Sequence, residues 1–194
     1  MLELYWHCLD MDQVGQRFVV ESLNELKQLL KNPLVEVELN PVPLSTKAVQ
    51  IVESELQKAP QQTEEPFQAY RRAISQNLSR PEWSPLVVYC KPDSELATAA
   101  RKQMPAAYWG CTVGSTLSAV YRLGNKYILW HEILHLFNAN DCYPPDDPNR
   151  GPTCELPNCI MQYAPTKKTV GEWPFLCQKN IKRIKDRSEK QNCD

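Results

Sequence analysis

The sequence predicts one α/β or α+β domain, and three observations support this prediction. The length of 194 residues corresponds to about one domain at roughly 150 residues each. Hydrophobic patterns of strand and helix period are mixed along the chain, as in domains that pack helices on a sheet. The last part is rich in loops, so we expect residues 1–138 to form an N-terminal subdomain with a mixed sheet and residues 139–194 a smaller C-terminal subdomain of the same domain.

The first elements are predicted from a capping pattern, from spacing and from alternation. Ser22 and Glu25 have the spacing of a capping box and leucines follow at helical spacing, which predicts a helix over 22–31 that the next Asn-Pro pair ends. Residues 34–39 alternate apolar and acidic side chains, which predicts a half-buried strand that the Pro-Val-Pro segment after it breaks. Apolar residues at helical spacing predict a second helix over 45–56.

The middle of the chain predicts helices around a buried strand. We expect a polar loop over 58–66, a helix over 67–78 and an alanine-rich helix over 94–104. The short apolar run at 86–90 is typical of a buried strand. Small and β-branched residues over 110–123 predict a strand or hairpin, which could lie at a sheet edge.

The final segment predicts two more helices with a loop between them. Residues 126–138 are apolar and at helical spacing, and residues 141–151 are dense in Pro and Asp, which is typical of a loop. A basic helix is predicted over 179–191, with Ile181 and Ile184 on its inner face.

Composition and charge exclude several classes of protein. The 22 basic and 23 acidic residues give a formal net charge of −1, so bulk charge gives no reason to expect nucleic-acid binding. Apolar residues make up 42%, which argues against a disordered chain. No apolar run approaches the ~18–20 residues of a membrane span and the N-terminus lacks a signal-peptide pattern, so we expect a cytoplasmic protein with no membrane partner. Eight cysteines in such a chain are typical of thiols or metal ligands.

The segment at residues 131–135 reads HEILH and has the HExxH pattern. His131 and His135 are four residues apart, so on a helix both imidazoles lie on one face and can bind zinc. Glu132 can act as general base on a metal-bound water. Such short strings also arise by chance, but two of the three histidines in the chain lie here on a strongly predicted helix. We therefore expect a catalytic zinc.

A catalytic zinc usually has three protein ligands, and the residues after HExxH resemble the metzincin metallopeptidases. Their motif is HExxHxxGxxH, and this chain has Asn138 at the Gly position and Asp141 at the last His position. Asn tolerates the left-handed conformation of that turn, and Asp is a competent zinc ligand, as in the snapalysins. The resemblance therefore implies Asp141 as the third ligand. The alternative is Glu155, as in the gluzincin plan.

The segment at 159–163 resembles the Met-turn that metzincins carry beneath the metal. The resemblance implies that Met161 is the Met of this turn. It also implies a catalytic role for Tyr163, because astacins and serralysins have a Tyr there that ligates zinc or stabilises the oxyanion. The residues alone leave ordinary packing open for both side chains.

Four cysteines resemble the set with which archaemetzincins hold a second, structural zinc. Cys142 follows the implied third ligand, Cys159 belongs to the Met-turn segment, and Cys177 lies further on. The second Cys of the final archaemetzincin pair is missing, and Cys154 could replace it. The resemblance, which covers about residues 131–177, implies a Cys₄ zinc site. Buried thiols or two disulfides are the alternatives.

The resemblance implies a metzincin-like twisted, mixed sheet with an active-site helix, followed by a small loop-and-helix subdomain. It implies zinc-dependent hydrolysis of peptide or protein substrates, with Glu132 as general base. In metzincins the strand before the active-site helix pairs with the substrate, and residues 110–123 are in that place; an ordinary internal strand is the alternative. Two other functions stay open: a zinc-stabilised interaction protein without peptidase activity, and hydrolysis of non-peptide amides.

Overall fold

The computed structural model describes residues 1–9, 11–58, 86–90, 110–113, 117–120, 125–144, 153–162 and 175–191. Within these ranges the elements in chain order are β1 (Leu2–Leu9), α1 (Gln13–Leu30), β2 (Leu39–Pro43), α2 (Thr46–Lys58), β3 (Leu86–Cys90), β4 (Gly110–Val113), β5 (Leu117–Val120), α3 (Lys126–Leu136) and α4 (Gln178–Gln191). The predicted helices over 67–78 and 94–104 lie outside the described residues, as does the predicted loop over 58–66 apart from Lys58 at the end of α2.

The five described strands form one mixed sheet in the order β2-β1-β3-β5-β4. Strands β2, β1, β3 and β5 are parallel to one another. Strand β4 pairs antiparallel with β5 at one edge. The architecture is therefore a mixture of helices and strands, as predicted. The predicted strand or hairpin over 110–123 is an antiparallel strand pair, and β4 is the edge strand.

Helix α1 begins at Gln13, so the predicted start at Ser22 is wrong. The side chain of Asp12 caps the helix by accepting a hydrogen bond from the backbone N–H of Gly15 at 2.9 Å. The Ser22 hydroxyl instead donates to the carbonyl of Phe18 one turn earlier, at 2.7 Å. A Ser inside a helix can satisfy its hydroxyl in this way, so the capping-box spacing alone did not mark the start.

Residues 34–39 do not form the predicted strand, although their alternate apolar side chains are buried. The backbone turns here, because the N–H groups of Val35 and Glu36 both donate to the carbonyl of Asn32 and Glu36 has a φ of 53°. The strand β2 begins at Leu39 and includes both prolines that were expected to break it. Since β2 lies at an edge of the sheet, its prolines remove no ladder hydrogen bond that a further strand would need.

The other described elements agree with the predicted types. Helices α2, α3 and α4 occupy the predicted helices at 45–56, 126–138 and 179–191, and Ile181 and Ile184 of α4 are buried. Strand β3 matches the predicted run at 86–90 and lies in the middle of the sheet. None of the helices in the described part of the chain is both long and apolar enough to cross a membrane.

Helix α3 lies in the core and carries the HExxH residues. The side chain of Asn125 caps its N-terminus, and every residue from Ile128 to Leu134 is buried. The indole N–H of Trp130 donates to the carbonyl of Ser22 at 2.8 Å, which fixes α3 against α1. A helix that is buried all round has no solvent for its polar side chains, so its histidines and its glutamate need partners inside the protein.

Candidate metal centres

The two histidines of α3 face each other across one helical turn. Their Nε2 atoms are 3.1 Å apart, and their ring planes are nearly perpendicular. The Nδ1 of His131 lies 2.8 Å from the carbonyl of Ile160, and the Nδ1 of His135 lies 2.9 Å from the carbonyl of Ala139. A carbonyl can only accept, so each Nδ1 carries the proton and each Nε2 directs a lone pair at the same point. This is the tautomer that a metal-binding His needs.

Asp141 completes a triangle of ligand atoms with the two histidines. Its Oδ1 is 3.3 Å from the Nε2 of His131 and 3.2 Å from the Nε2 of His135. Ligands held tetrahedrally at about 2.0–2.1 Å from zinc would be about 3.3–3.4 Å apart, so the triangle fits such an ion. The alternative ligand Glu155 is not part of this group: it is exposed and accepts from the backbone N–H of Gln178.

The turn that brings Asp141 to the histidines depends on Asn138. This residue has a φ of 73°, and its N–H donates to the carbonyl of His135 at 2.9 Å. The next N–H, of Ala139, donates to the carbonyl of Leu134. A residue in the left-handed conformation ends a helix in this manner, and Asn adopts that conformation more readily than other residues with a side chain. The predicted turn at Asn138 is confirmed.

The charges of this group support one another. Burial lowers the pKa of His135, but the hydrogen bond that its protonated ring donates to Asp141, together with the negative charges of Glu132 and Asp141, raises it above its ordinary value overall. Burial favours the neutral form of Asp141, yet its hydrogen bonds with His131 and His135 hold the pKa of this carboxyl well below its usual range. Asp141 is therefore an anion at neutral pH, ready to bind a cation.

Glu132 is buried beside this group. Only 8% of the residue is exposed, and its negative charge is close enough to contribute to the raised pKa of His135. Its Oε2 accepts a hydrogen bond of 2.6 Å from the hydroxyl of Thr112 on the edge strand β4. The sequence pattern predicted the place of Glu132 but contained no signal for its contact with Thr112.

Met161 lies in a tight turn next to the histidines. The N–H of Gln162 donates to the carbonyl of Cys159, which closes the turn, and Met161 is fully buried. The carbonyl of Ile160, the preceding residue, is the partner of His131. The turn therefore holds the ring of His131 through its backbone. Tyr163 lies outside the described residues, and its catalytic role stays a prediction.

The four predicted cysteines also come together. Their sulfur atoms lie within 4.8 Å of one another, and the Sγ of Cys142 is 3.7 Å from those of Cys159 and Cys177. Sulfurs bound tetrahedrally at about 2.3 Å from zinc would be about 3.8 Å apart, whereas a disulfide requires about 2.05 Å. All four, including Cys154, are free thiols. The cluster fits a metal ion and contains no disulfide.

Hydrogen bonds between the thiols distribute their protons unevenly. Those from Cys142 and Cys159 lower the pKa of Cys177, whereas hydrogen bonds with Cys159 and Cys177, and burial, raise the pKa of Cys142. The side-chain amide of Asn180 also donates to the Sγ of Cys142 at 3.4 Å. The four thiols therefore share protons among themselves. A bound cation would instead allow all four sulfurs to be anionic. Asn180 was not predicted, because no spacing relates it to the other residues.

The two groups are joined through the backbone. Asp141 and Cys142 are consecutive, and the N–H of Cys142 donates to the carbonyl of Met161 at 2.7 Å. Asn180 accepts from the backbone N–H of Asn140 and donates to the carbonyl of Asn140, both at 2.9 Å. One short segment thus positions a ligand of each group.

No family model and no curated protein matches this chain.

Proposed function

We propose that this protein is a zinc-dependent metallopeptidase of the metzincin type. The observation that carries the proposal is the triangle of His131, His135 and Asp141, whose ligand atoms are 3.1–3.3 Å apart and leave a fourth position for water or substrate. Two nitrogen ligands and one oxygen ligand are a donor set that zinc accepts. Glu132 supplies the general base that a hydrolytic site needs.

The residues of the site divide the work of hydrolysis. Zinc bound by the three ligands would polarise the scissile carbonyl and lower the pKa of a bound water. Glu132 takes a proton from the attacking water and then gives it to the leaving amine. The carbonyls of Ile160 and Ala139 hold the two histidines in the ligating tautomer. Asp141, with 39% of its side chain exposed, is the most accessible of the three residues to solvent and substrate.

The edge strand β4 gives a peptide substrate a place to bind. In the described sheet β4 pairs with β5 on one side only, and its Thr112 contacts Glu132 of the site. An extended peptide could add to this edge through backbone hydrogen bonds. Its peptide bonds would then lie close to the general base Glu132. A peptide or protein is therefore the proposed substrate.

The four cysteines hold a second zinc in this proposal, as in archaemetzincins. The sulfur set is complete with four ligands and leaves no position for water, which is the property of a structural site. This second zinc would fix the segment that connects Asp141 to the turn of Met161.

The direct test is cleavage of a peptide library by the full chain and by Glu132→Gln. We expect the variant to keep its metal and to lose roughly 100- to 10,000-fold in rate, because a general base is removed. Glu38→Gln, at an exposed position, is the matched control and should leave the rate unchanged. If the wild-type chain holds zinc in both groups but cleaves no peptide at any pH, the alternative of a zinc-stabilised interaction protein is favoured.

A further inference from the structure

Two residues of the edge strand β4, Thr112 and Gly110, lie directly against the side chain of Glu132. The hydroxyl of Thr112 lies 2.6 Å from the Oε2 of Glu132 and 3.2 Å from its backbone carbonyl. Gly110 is two residues earlier on the same face of the strand. It lies against the Cγ and the Oε1 of Glu132. The carboxylate is therefore in contact with both Gly110 and Thr112, which lie on one face of β4.

We propose that Thr112 is a positioning residue that holds the carboxylate of Glu132 in its catalytic place, and that Gly110 is required because no side chain fits beside that carboxylate. This inference rests on the proposed peptidase function. It concerns residues that do not bind the metal.

The Thr112 hydroxyl is suited to both protonation states of a general base. A hydroxyl has one proton to donate and can also accept. While Glu132 is ionised, the hydroxyl donates to Oε2. The proton that Glu132 takes from the water then belongs on its other carboxylate oxygen, Oε1, from which it can pass to the leaving amine, while Thr112 still donates to Oε2. The partner atoms therefore stay the same while the proton is gained and lost.

Gly110 makes the second half of the contact. A Cβ built on Gly110 would lie 2.8 Å from the Cγ and 3.0 Å from the Oε1 of Glu132. Real Cβ atoms do not come this close to their neighbours, and its backbone is not in the left-handed region. Gly110 is therefore explained by the close approach of the Glu132 side chain and not by an unusual backbone conformation.

The test compares Thr112→Val, Thr112→Ser and Gly110→Ala with Ser118→Ala as the matched control. Ser118 is the neighbour of Thr112 across the strand pair, and its hydroxyl is buried without a hydrogen-bond partner in the described part of the chain. We expect Thr112→Val and Gly110→Ala to lose roughly 10- to 100-fold in kcat, since a small displacement of a catalytic group has effects of this size. KM and zinc content should change little, Thr112→Ser should restore most of the rate, and Ser118→Ala should behave as the wild type.

A second measurement is independent of catalysis. Thr112→Val, Glu132→Ala and the double variant form a cycle, in which the denaturation of the zinc-loaded chain is compared at equal metal content. Thr112 and Glu132 share a hydrogen bond to a charged group. We therefore expect Thr112→Val and Glu132→Ala to be non-additive by roughly 10-fold or more in the unfolding constant. The cycle of Ser118→Ala with Glu132→Ala should be additive.

The outcomes separate this inference from the proposed function. If the wild type cleaves peptides and Thr112→Val does so at the same kcat, the positioning role is overturned while the peptidase proposal stands. If the wild type cleaves no peptide, the peptidase proposal fails, and the cycle alone decides the contact. Coupling between Thr112 and Glu132 then supports it, and additivity overturns it.

Discussion

The two groups of candidate metal ligands differ in exposure and in chemistry, although the consecutive residues Asp141 and Cys142 contribute to both. In the His/Asp group, Asp141 is exposed and the donors are two nitrogens and one oxygen. In the Cys group, the donors are four sulfurs, and Cys142, Cys159 and Cys177 are buried. An open site with three ligands is typical of catalysis, and a closed site with four is typical of structure. The comparison predicts that loss of one metal affects activity and loss of the other affects folding.

The two groups also differ in the parts of the structure that hold their side chains. The histidines are held by carbonyls of the Met161 turn and of the helix end, whereas the cysteines lie in loops, with Cys177 immediately before α4. The helix that carries the histidines is itself buried in the core. The loops that carry the cysteines are joined by single backbone hydrogen bonds, such as that from the N–H of Ile160 to the carbonyl of Phe175, so the second metal would contribute more to their order.

The largest effect is expected from the Cys group. Cys159→Ser should reduce the zinc content from two ions to one and lower the free energy of unfolding by roughly 3 kcal/mol or more, because metal binding to such a cluster is coupled to folding. Metal analysis and denaturant unfolding measure both quantities. Cys8→Ser is the control, since Cys8 lies outside the cluster and burial raises its pKa to about 12. An unchanged zinc content in Cys159→Ser would exclude the Cys₄ site.

The corresponding change in the His/Asp group should abolish activity with a smaller loss of stability. Asp141→Ala removes one ligand and should also leave one zinc per chain, but at a cost of only roughly 1–2 kcal/mol. Peptide cleavage should fall at least about 100-fold. Asp186→Asn, which alters an exposed pair with Lys182 on α4, is the control. If Asp141→Ala destabilised the chain as much as Cys159→Ser, the division into a catalytic and a structural site would be wrong.

Asn180 connects the two groups and should affect both. Its side chain is 1% exposed and bonds Asn140 and Cys142, so it supports a ligand of each site. Asn180→Ala should weaken both metals by roughly 10- to 100-fold, as removal of an outer hydrogen-bond partner typically does. Competition with a metallochromic indicator measures the two affinities. Asn24→Ala, at an exposed position of α1, is the control. A change at one site only would show that the sites are independent.

Local patterns predicted which residues come together in the two groups more fully than they predicted the residues that contact these groups. The HExxH spacing brings His131 and His135 together because a helix repeats every 3.6 residues, and the resemblance to metzincins placed Asp141 and the cysteines. Thr112 and Asn180 were not predicted, since each acts across a long sequence separation that no short pattern records. Strand pairing and helix packing determine these contacts, and both are tertiary properties.

The fold was predicted well where one pattern dominated and poorly where two competed. Helices α2, α3 and α4 and strand β3 have clear hydrophobic patterns, and their types were correct. The start of α1 was missed because Ser22 resembles a cap while Asp12 is the cap. The strand at 34–39 was misplaced because alternate burial also occurs in a turn, where Glu36 adopts a positive φ.

The smallest predicted effect is a pH dependence of the His/Asp group when its metal is removed. The pKa of His135 is raised, so its pairing stabilises the folded chain below about pH 6.5 and is lost as the pH rises through the folded value. The pKa of Asp141 is lowered, so its contribution is present above about pH 3.8 and is lost as the pH falls. The two contributions coincide between these values, and Asp141 is part-exposed, so solvent screening limits their sum to roughly 1 kcal/mol or less.

This pH dependence is measured on protein that keeps one zinc per chain after mild chelation. The stability difference between wild type and Asp141→Asn should be greatest near pH 5–6 and shrink toward pH 8, since deprotonated His135 no longer pairs with the carboxylate. With both metals bound the dependence should reverse, because His135 must be neutral to act as a ligand and acidification then releases the ion. A difference that stays constant from pH 5 to pH 8 in the chelated protein would contradict the ion pair of Asp141 with His135.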